Sequence, residues 1–411
     1  MKYVLIIGDG MADEPIPELG GKSPLQFAKT PAMDSIASAG ELGCVLTIPE
    51  GMQAGSDTAI LSIFGYDPRK YYTGRAPLEA AATGIKIPPG DIAYRCNMVT
   101  FEDGEKTFEK KKIISHSAGS IEGEESATLV KELFATPVFK EKADAAGMSV
   151  HPASSFRHIA VQKARDIAGL ELTPPHDHLG DVIGRHLPRG GKNAAVLEGL
   201  MRLAHEVLDN HPLNAKRRSE GKLPANGIWF WAEGTVAELP GFASKYGKTG
   251  GVISAVPLCQ GIGILIGLDI VYVEGATGEL HTNYEGKVDA AIDVLKEHDF
   301  VVIHIEAPDE CSHDGDLDGK LQAIEWIDSR VVTPLIKRLS DAGEDYRALV
   351  ISDHRTLMTT RGHDGGPVPY VIFDSGFDRK TGLSFCEVDA SLGQFISEGD
   401  GLLSTLFKET P

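Results

Sequence analysis

Short, uninterrupted apolar runs recur along the chain, at residues 3–7, 300–305 and 348–351. Runs this short and this apolar are typical of strands that are covered on both faces, as in a parallel sheet. Between them lie amphipathic segments with helical spacing, among them residues 194–210 and 288–297. Strands that alternate with helices predict an α/β fold, a mostly parallel sheet flanked by helices.

Helix boundaries follow from residues that start or stop a helix. A helix is predicted over residues 31–39, because Pro31 suits the first helical position and Gly40 ends the pattern. A second helix is expected to start at Ser56. The same reasoning predicts the remaining elements: helices at 126–134 and 321–339, strands at 227–231 and 369–373, and a helix at 388–397.

The pattern changes from about residue 88. Residues 92–101 and 106–114 are predicted to be two strands of a hairpin, joined through the polar turn at 102–105. Loop residues then become frequent, up to the Pro-Arg-Gly-Gly stretch at 188–191. We therefore predict an inserted, smaller α+β domain. Its expected range is 88–190, and residues 1–87 and 191–411 would form the other, discontinuous domain.

The charge balance restricts the possible partners. The chain carries 40 Lys and Arg against 59 Asp and Glu, a formal net charge of −19. A field of that sign argues against nucleic acid or an anionic membrane as a partner. It does not exclude a small anionic substrate, because a bound metal ion reverses the local potential.

The cysteines and the apolar segments indicate a cytoplasmic protein. The five cysteines are scattered and odd in number, which suits a reducing compartment better than a disulfide framework. The amino-terminal segment has the pattern of a strand rather than of a signal peptide. The longest apolar stretch, residues 257–273, is too short and too polar to span a bilayer.

Three carboxylates follow the three apolar runs. Asp9, Asp309 and Asp353 each come just after a predicted buried strand. In parallel sheets, ligands gather at the carboxyl ends of the strands, where all three side chains would emerge. Residues far apart in sequence are therefore expected to be neighbours in space.

Histidines and one serine extend this set. Asp309 and His313 are spaced one helical turn apart, and His354 directly follows Asp353. His363 lies in a glycine-rich loop, and Ser56 lies at a predicted helix start. Each has an ordinary explanation when taken alone, such as a turn former for Asp9 or an N-cap for Ser56. Together they predict a metal site with these candidate ligands: Asp9, Ser56, Asp309, His313, Asp353, His354 and His363.

The ligand types indicate which ions would bind. Carboxylate, imidazole and serine oxygen suit Mn²⁺, Zn²⁺ or Co²⁺, and Mg²⁺ remains possible although it binds histidine less well. At such a site Ser56 could act as a nucleophile, with free helix N–H groups donating hydrogen bonds to phosphoryl oxygens. Cys311 is interpreted as a buried thiol, and His304 as a core histidine or one that supports a ligand.

Several motifs resemble those of the archaeal-type cofactor-independent phosphoglycerate mutase family. They run from residue 8 to about residue 373, so that the resemblance covers nearly the whole chain. The motifs are G-D-G-M-A-D at 8–13, G-S-D-T-A at 55–59, Y-Y-T-G-R-A-P-L-E-A at 71–80, V-E-G-A-T-G at 273–278, D-E-C-S-H at 309–313, S-D-H at 352–354 and P-V-P-Y at 367–370.

The resemblance implies an alkaline-phosphatase-like fold with two divalent metal ions. It places Asp9, Ser56, Asp353 and His354 around one ion, and it makes Ser56 the residue that becomes phosphorylated. The other ion would be held by Asp309, His313 and His363. It also implies that residues 88–190 form a substrate-closing domain.

Residues that bind the substrate are harder to choose. A planar arginine fork matches the carboxylate of glycerate, and the insert offers Arg157 and Arg185, with His158 beside the former. His116, Arg189 and Asp177 are further groups of the insert that could bind substrate or move a proton. Arg75 and Lys245 are candidate phosphate contacts, and for each of these residues a solvated surface role is an equal alternative.

The leading hypothesis is the interconversion of 3-phosphoglycerate and 2-phosphoglycerate through a phosphoserine, without bisphosphoglycerate. The alternative is a metal-dependent phosphotransferase or phosphatase that acts on another small alcohol, such as homoserine. A third possibility is a metal-stabilised binding protein without catalysis. In the first two cases the partner is a small phosphorylated molecule, and the sequence leaves the oligomeric state open.

Overall fold

The computed structural model describes residues 1–153 and 155–408. The chain divides into two compact units. The first unit contains Met1–Tyr72 together with the chain from Glu238 onward, and the second unit is Thr73–Ala237.

The strands, in chain order, are β1 (Lys2–Gly8), β2 (Glu41–Val45), β3 (Ile92–Phe101), β4 (Ile113–Ser115), β5 (Met148–His151), β6 (Arg157–Gln162), β7 (Gly227–Thr235), β8 (Gly250–Ile253), β9 (Asp269–Val271), β10 (Phe300–Ile305), β11 (Tyr346–Ser352), β12 (Arg355–Leu357), β13 (Gly362–Asp364), β14 (Val368–Asp374) and β15 (Gln394–Ile396).

The α-helices are α1 (Pro24–Phe27), α2 (Pro31–Ala39), α3 (Ser56–Ile63), α4 (Pro68–Tyr71), α5 (Arg75–Ala82), α6 (Gly123–Ala135), α7 (Pro137–Ala146), α8 (Ala194–Asp209), α9 (Pro212–Ser219), α10 (Phe242–Tyr246), α11 (Pro257–Leu265), α12 (Tyr284–Glu297), α13 (Ala307–Asp314), α14 (Leu317–Trp326), α15 (Thr333–Asp341), α16 (Glu387–Ala390) and α17 (Leu402–Leu406).

The first unit is built on one mixed sheet with the strand order β15-β2-β14-β11-β1-β10-β8-β9. From β11 to β9 every neighbouring pair is parallel, and β14 is antiparallel to both of its neighbours. Helix α12 packs on β10 and β8, and α2 packs on β14. The predicted α/β fold with a mostly parallel sheet flanked by helices is therefore confirmed.

Strand β1 lies at the centre of this sheet. Its residues Val4 to Ile7 are fully buried, as expected for an apolar run with no polar alternation. The strand pairs with β10 on one side and β11 on the other, so that Leu5 lies opposite both Val302 and Leu349. Burial on both sides explains why this segment has no polar residue between Tyr3 and Ile7.

Most of the predicted helices are present. Helix α2 has the predicted bounds and has Pro31 in its first turn. Helix α3 begins at Ser56, but Gly55 rather than Ser56 occupies the N-cap position. The helix predicted over 321–339 lies within a longer helical run, α14 and α15, which is joined by the π-helical segment Ile327–Val332.

Two predicted elements are wrong. Residues 388–397 were expected to be helical, but α16 is short and is followed by β15, which pairs with the sheet strand β2. The second arm of the predicted hairpin at 106–114 is mostly a 3₁₀ turn, Phe108–Lys110, followed by the short strand β4. Strand β4 does pair antiparallel with β3, but only at the last two residues of β3, Thr100 and Phe101.

The second unit contains an antiparallel sheet in the order β4-β3-β6-β5, with β7 also paired to β3. The range expected for the insert, 88–190, is too narrow. Strand β7 pairs with β3 from Gly227 to Thr235, and α8 packs on β7, so residues beyond 190 belong to this sheet. Helix α5, which precedes residue 88, also packs on β3 and β7.

Among the described residues, no helix combines the length and the apolar character that crossing a membrane requires.

Candidate metal centre

Three neighbouring strands of the first unit bring the predicted ligands to one edge of the sheet. Gly8, the last residue of β1, lies opposite Ile305 of β10 and Ser352 of β11. Asp9 and Asp353 directly follow their strands, and Asp309 lies in the first turn of α13, which follows β10. The neighbourhood expected from the sequence is therefore present in the structure.

Ser56, Asp9, Asp353 and His354 form the first cluster. The Nε2 atom of His354 lies 3.3 Å from Oδ1 of Asp9 and 3.4 Å from Oδ2 of Asp353. The Ser56 hydroxyl oxygen lies 3.1 Å from the same nitrogen and 3.4 Å from Oδ2 of Asp9. Four side chains with three donor types, carboxylate, imidazole and hydroxyl, therefore surround one small volume.

Asp309, His313 and His363 form the second cluster. The two carboxylate oxygens of Asp309 face the two rings, with Oδ2 at 3.2 Å from Nε2 of His313 and Oδ1 at 3.5 Å from Nε2 of His363. The two Nε2 atoms are 2.9 Å apart. Nδ1 of His313 donates to the carbonyl of Arg361 at 2.9 Å, so Nε2 is the ring nitrogen that faces the cluster and a bound cation would replace a proton there.

Unsatisfied carboxylate oxygens indicate what the first cluster is built to hold. Oδ1 of Asp353 accepts backbone hydrogen bonds from Gly10 at 3.0 Å and from His354 at 2.8 Å. In contrast, Oδ2 of Asp353 and Oδ1 of Asp9 are buried and accept no hydrogen bond within the described residues. Buried oxygens without a partner are unfavourable, and a cation between them would remove that penalty.

The pKa shifts have the same physical origin. Burial, and then the charges of Asp353, Asp309 and Glu306, raise the pKa of Asp9 well above its usual value. Burial also opposes ionisation of Asp309, but hydrogen bonds from His313 and His363 hold its pKa well below normal. Several carboxylates are thus concentrated in a buried region, and a divalent cation would balance their charge.

Chemically, the two clusters fit divalent metal ions. Atoms of Asp9, Asp309 and His354 lie within 4.8 Å of one another, as do atoms of Asp309, His313 and His363. Asp309 belongs to both groups, so it lies between the two positions. Carboxylate and imidazole ligands in this combination are typical of Mn²⁺, Zn²⁺ and Co²⁺ sites.

Two supporting residues contact the ligands directly. His304, in β10, is fully buried and lies with Nε2 at 3.0 Å from Oδ2 of Asp9, which agrees with its interpretation as a supporting histidine. Thr356 was not identified from the sequence. Its hydroxyl donates to Oδ1 of Asp309 at 2.5 Å and lies 3.1 Å from Nδ1 of His354. Only its position just after the S-D-H motif could have pointed to it.

The candidate substrate residues Arg75, Arg157, His158 and Arg185 all lie in the second unit. Arg75 pairs with Glu79 at 3.0 Å, and the guanidinium of Arg157 lies over a phenylalanine ring. Arg185 is exposed at the end of a 3₁₀ turn.

His158 does not have the position expected of a substrate contact. It is fully buried, its Nδ1 accepts from the backbone N–H of Ala153 at 3.0 Å, and its Nε2 lies 3.1 Å from the Ser126 hydroxyl. Both ring nitrogens are therefore occupied inside the second unit. The sequence pattern misled here because Arg157, directly before it, is exposed at the strand end.

Lys245 also has another role. Its ammonium group donates to the carbonyl of Gly65 and lies 4.5 Å from the centre of the Tyr66 ring. Gly65 follows the carboxyl end of α3, a helix about 12 Å long, whereas Ser56 begins it. This position does not favour a contact between Lys245 and a phosphate at Ser56.

A family model described as 2,3-bisphosphoglycerate-independent phosphoglycerate mutase matches residues 37–214. A Methanosarcina barkeri relative with that name is 45% identical to this chain, over 99% of this chain and 100% of the relative. A Methanothrix thermoacetophila relative with the same name is 46% identical, over 99% of both chains. A Geobacter sulfurreducens relative, named as a probable enzyme of this kind, is 42% identical over 99% of both chains.

Two solved structures are also similar over nearly the whole length. A Pyrococcus horikoshii protein is 31% identical with a TM-score of 0.80, covering 100% of this chain and 98% of its own. The cofactor-independent phosphoglycerate mutase of Thermoplasma acidophilum is 26% identical with a TM-score of 0.62, covering 99% of both chains.

Proposed function

Because this chain belongs to the 2,3-bisphosphoglycerate-independent phosphoglycerate mutase family, we propose that it interconverts 3-phosphoglycerate and 2-phosphoglycerate through a phosphorylated Ser56. The observation that carries the proposal is the position of the Ser56 hydroxyl, 3.1 Å from Nε2 of His354 and beside Asp9. The relatives' names give no support to homoserine or another alcohol as the acceptor.

We propose that the two clusters hold two divalent cations. Asp9, Ser56, Asp353 and His354 would bind one, and Asp309, His313 and His363 the other. Mn²⁺, Zn²⁺ and Co²⁺ suit this set of donors better than Mg²⁺ does. When bound, such ions supply positive charge that favours the serine alkoxide and balances the charge of the phosphoryl oxygens.

The position of Ser56 at the start of α3 supports a role as the nucleophile. It is the first residue of α3, where backbone N–H groups without a helical partner can bind phosphoryl oxygens. In the proposed reaction its Oγ forms a bond to phosphorus, while the bond from phosphorus to the glycerate oxygen breaks in line. The glycerate stays bound and reorients, and its other hydroxyl then takes the phosphoryl group back from Ser56.

The surroundings of His354 determine which of its two ring nitrogens carries the proton. The Thr356 hydroxyl gives its one proton to Asp309, so Nδ1–H of His354 donates to the Thr356 oxygen. The Nε2 lone pair is then directed toward Ser56 and the buried carboxylate oxygens. In this tautomer His354 can act as a metal ligand at Nε2.

Substrate binding remains a prediction for Arg75, Arg157 and Arg185. Each can offer a planar pair of N–H donors to the carboxylate of glycerate. The expected role of the second unit, exclusion of water from the phosphoserine, is likewise a prediction. Such exclusion matters because water that hydrolysed the phosphorylated Ser56 would release inorganic phosphate and convert a mutase into a phosphatase.

The test is the conversion of 3-phosphoglycerate by Mn²⁺-loaded protein in the absence of bisphosphoglycerate. We expect 2-phosphoglycerate to form, and we expect Ser56→Ala to lower kcat by at least about 10³-fold because the nucleophile is gone. Ser329→Ala, which changes an exposed serine bonded to its own helix, is the matched control and should keep full activity.

Mass spectrometry after a rapid quench should also find a phosphoryl group on Ser56 in the active protein. If metal-loaded protein gives no 2-phosphoglycerate, the assignment as a mutase is wrong. If Ser56→Ala keeps its activity, the phosphoserine route is wrong even though turnover occurs.

A further inference from the structure

A second group of residues with metal-ligand chemistry lies in the second unit. His178 ends the 3₁₀ turn Pro175–His178, His186 follows the turn Ile183–Arg185, and Asp181 lies between them. One ligand atom from each lies within 4.8 Å of the other two. These residues belong to neither cluster of the proposed active centre, and the proposed reaction gives them no role.

The distances among the three side chains suit one bound ion. Oδ2 of Asp181 lies 3.3 Å from Nδ1 of His178 and 3.3 Å from Nε2 of His186. Two ligand atoms at about 2.1 Å from a Zn²⁺ or Co²⁺ ion, about 100–110° apart, are separated by roughly 3.3 Å. The two imidazole rings are stacked face to face, with centroids 3.8 Å apart and planes at 19°, so one ring must turn before both nitrogens can face a single ion.

One of the ligand atoms has an unsatisfied position. Nε2 of His186 is buried and makes no hydrogen bond with any described residue. Its nearest polar atom is Oδ2 of Asp181 at 3.3 Å, and a metal ion between the two would satisfy the buried nitrogen. The side chain of Asp181 is 55% exposed, so water could complete the coordination on the open side.

The backbone holds the three residues in place before any ion binds. Gly180 donates to the carbonyl of Ile113 at 2.8 Å, and Ile113 donates back to the carbonyl of Asp181 at 3.2 Å. Ile183 donates to the carbonyl of Lys111 at 2.9 Å. The segment between the two histidines is therefore fastened to β4 and the residues before it, which lowers the entropy that metal binding would have to offset.

We propose that His178, Asp181 and His186 form a third divalent-cation site, made of residues that belong to neither cluster of the proposed active centre. Two imidazoles and one carboxylate, with open positions for water, suit Zn²⁺, Co²⁺ or Ni²⁺ better than Mg²⁺ or Ca²⁺. The bound ion joins the turn before Gly180 to the turn after Asp181, and so stabilises the edge of the second unit at β4.

The first test is the amount of Zn²⁺ bound by the full-length protein, measured by equilibrium dialysis and elemental analysis. We expect three equivalents in the natural chain and two in Asp181→Asn, which keeps the size of an exposed side chain and removes its charge. His178→Gln should behave in the same way, with affinity for the third ion at least about tenfold weaker. His151→Gln, another histidine of the second unit, should keep three equivalents.

Hydrogen exchange shows where the third ion binds. Added Zn²⁺ should slow exchange at the backbone amides of Gly180, Asp181 and Ile183 in the natural chain but not in Asp181→Asn. An equal number of equivalents in the natural chain and in Asp181→Asn, with the additional site absent from both, would overturn the proposal, because the three side chains would then form only a hydrogen-bonded surface group. A third equivalent that persists in both Asp181→Asn and His178→Gln would also overturn it, since the ion would lie elsewhere.

Discussion

At the scale of single residues, one hydroxyl connects the two halves of the candidate metal centre. Thr356 donates to Asp309, which belongs to the second cluster, and accepts from Nδ1 of His354, which belongs to the first. Its side chain is fully buried. Some side chains hold a metal ligand in one orientation and one tautomer. Mutating such a side chain commonly weakens metal affinity by about 10–100-fold.

Replacing Thr356 with valine tests this role with little change of shape. Thr356→Val should lower Mn²⁺ affinity and kcat by about 10–100-fold each, because Asp309 and His354 lose a shared partner. Thr356→Ser keeps the hydroxyl and should restore most of both quantities. Isothermal titration with Mn²⁺ and the mutase assay measure the two effects. Equal behaviour of the valine and serine variants would show that the hydroxyl is unimportant.

The clustering of the candidate ligands could be predicted from the sequence, whereas the residues that contact them could not. Asp9, Asp309 and Asp353 are recognisable because each directly follows an apolar strand or lies in the turn after it. Thr356 depends on how β12 lies beside the turn after β1, which no local pattern encodes. His158 was misjudged for the same reason, since it lies opposite Cys96 of β3, a strand that is distant in sequence.

At the scale of elements, the turn after β1 has little space. Gly10 has φ of +63°, and a Cβ atom there would lie 2.6 Å from the Thr356 hydroxyl and 2.9 Å from Cα of Asp309. Its backbone N–H donates to Oδ1 of Asp353. The glycine is thus required both by the backbone angle and by the close approach of a neighbouring helix start.

Gly10→Ala should therefore damage the metal centre as well as strain the turn. We expect Mn²⁺ affinity to fall by at least about tenfold, because Asp309 must move to make room. Gly20→Ala is a matched control, since Gly20 has a similar φ of +68° with nothing within 4 Å of the added atom. That control should lower stability by only about 1 kcal/mol and leave metal affinity unchanged. Equal losses of affinity would mean that strain alone is responsible.

Long, strongly patterned elements were predictable and short ones were not. The central strands and helix α2 follow from apolar runs and from Pro31 and Gly40. Strand β15, in contrast, contains only three residues and forms because the edge of β2 is available for pairing. An edge strand of this kind is decided by tertiary pairing rather than by local preference.

At the scale of the whole molecule, the boundary of the second unit depends on one long-range pairing. Strand β7 comes more than a hundred residues after β3 along the chain and still pairs with it from Ile92 to Val99. The change of sequence pattern near residue 88 indicated that an insert begins there. It could not indicate that the chain returns to the same sheet at Gly227.

Buried histidine makes the stability of this second unit depend on pH. Burial lowers the pKa of His158 from 6.5 to about 4. Between these two values the unfolded chain binds a proton at this site that the folded chain does not bind, so the free energy of unfolding falls as the pH falls. Over the whole interval the loss from His158 is on the order of 3 kcal/mol, and below pH 4 it no longer grows.

Urea unfolding between pH 7 and pH 4 measures this loss in the second unit. Replacing Trp326 with phenylalanine leaves Trp229 and Trp231, both in the second unit, so tryptophan fluorescence then reports the unfolding of that unit. Adding His158→Gln should lower stability at pH 7, because the amide fits the site less well, but should make the decline toward pH 4 shallower. The other histidines are present in both proteins, so the difference in slope isolates His158, and His151→Gln should keep the steeper slope. Parallel curves for the natural residue and His158→Gln would show that His158 takes up its proton equally in the folded and unfolded chains.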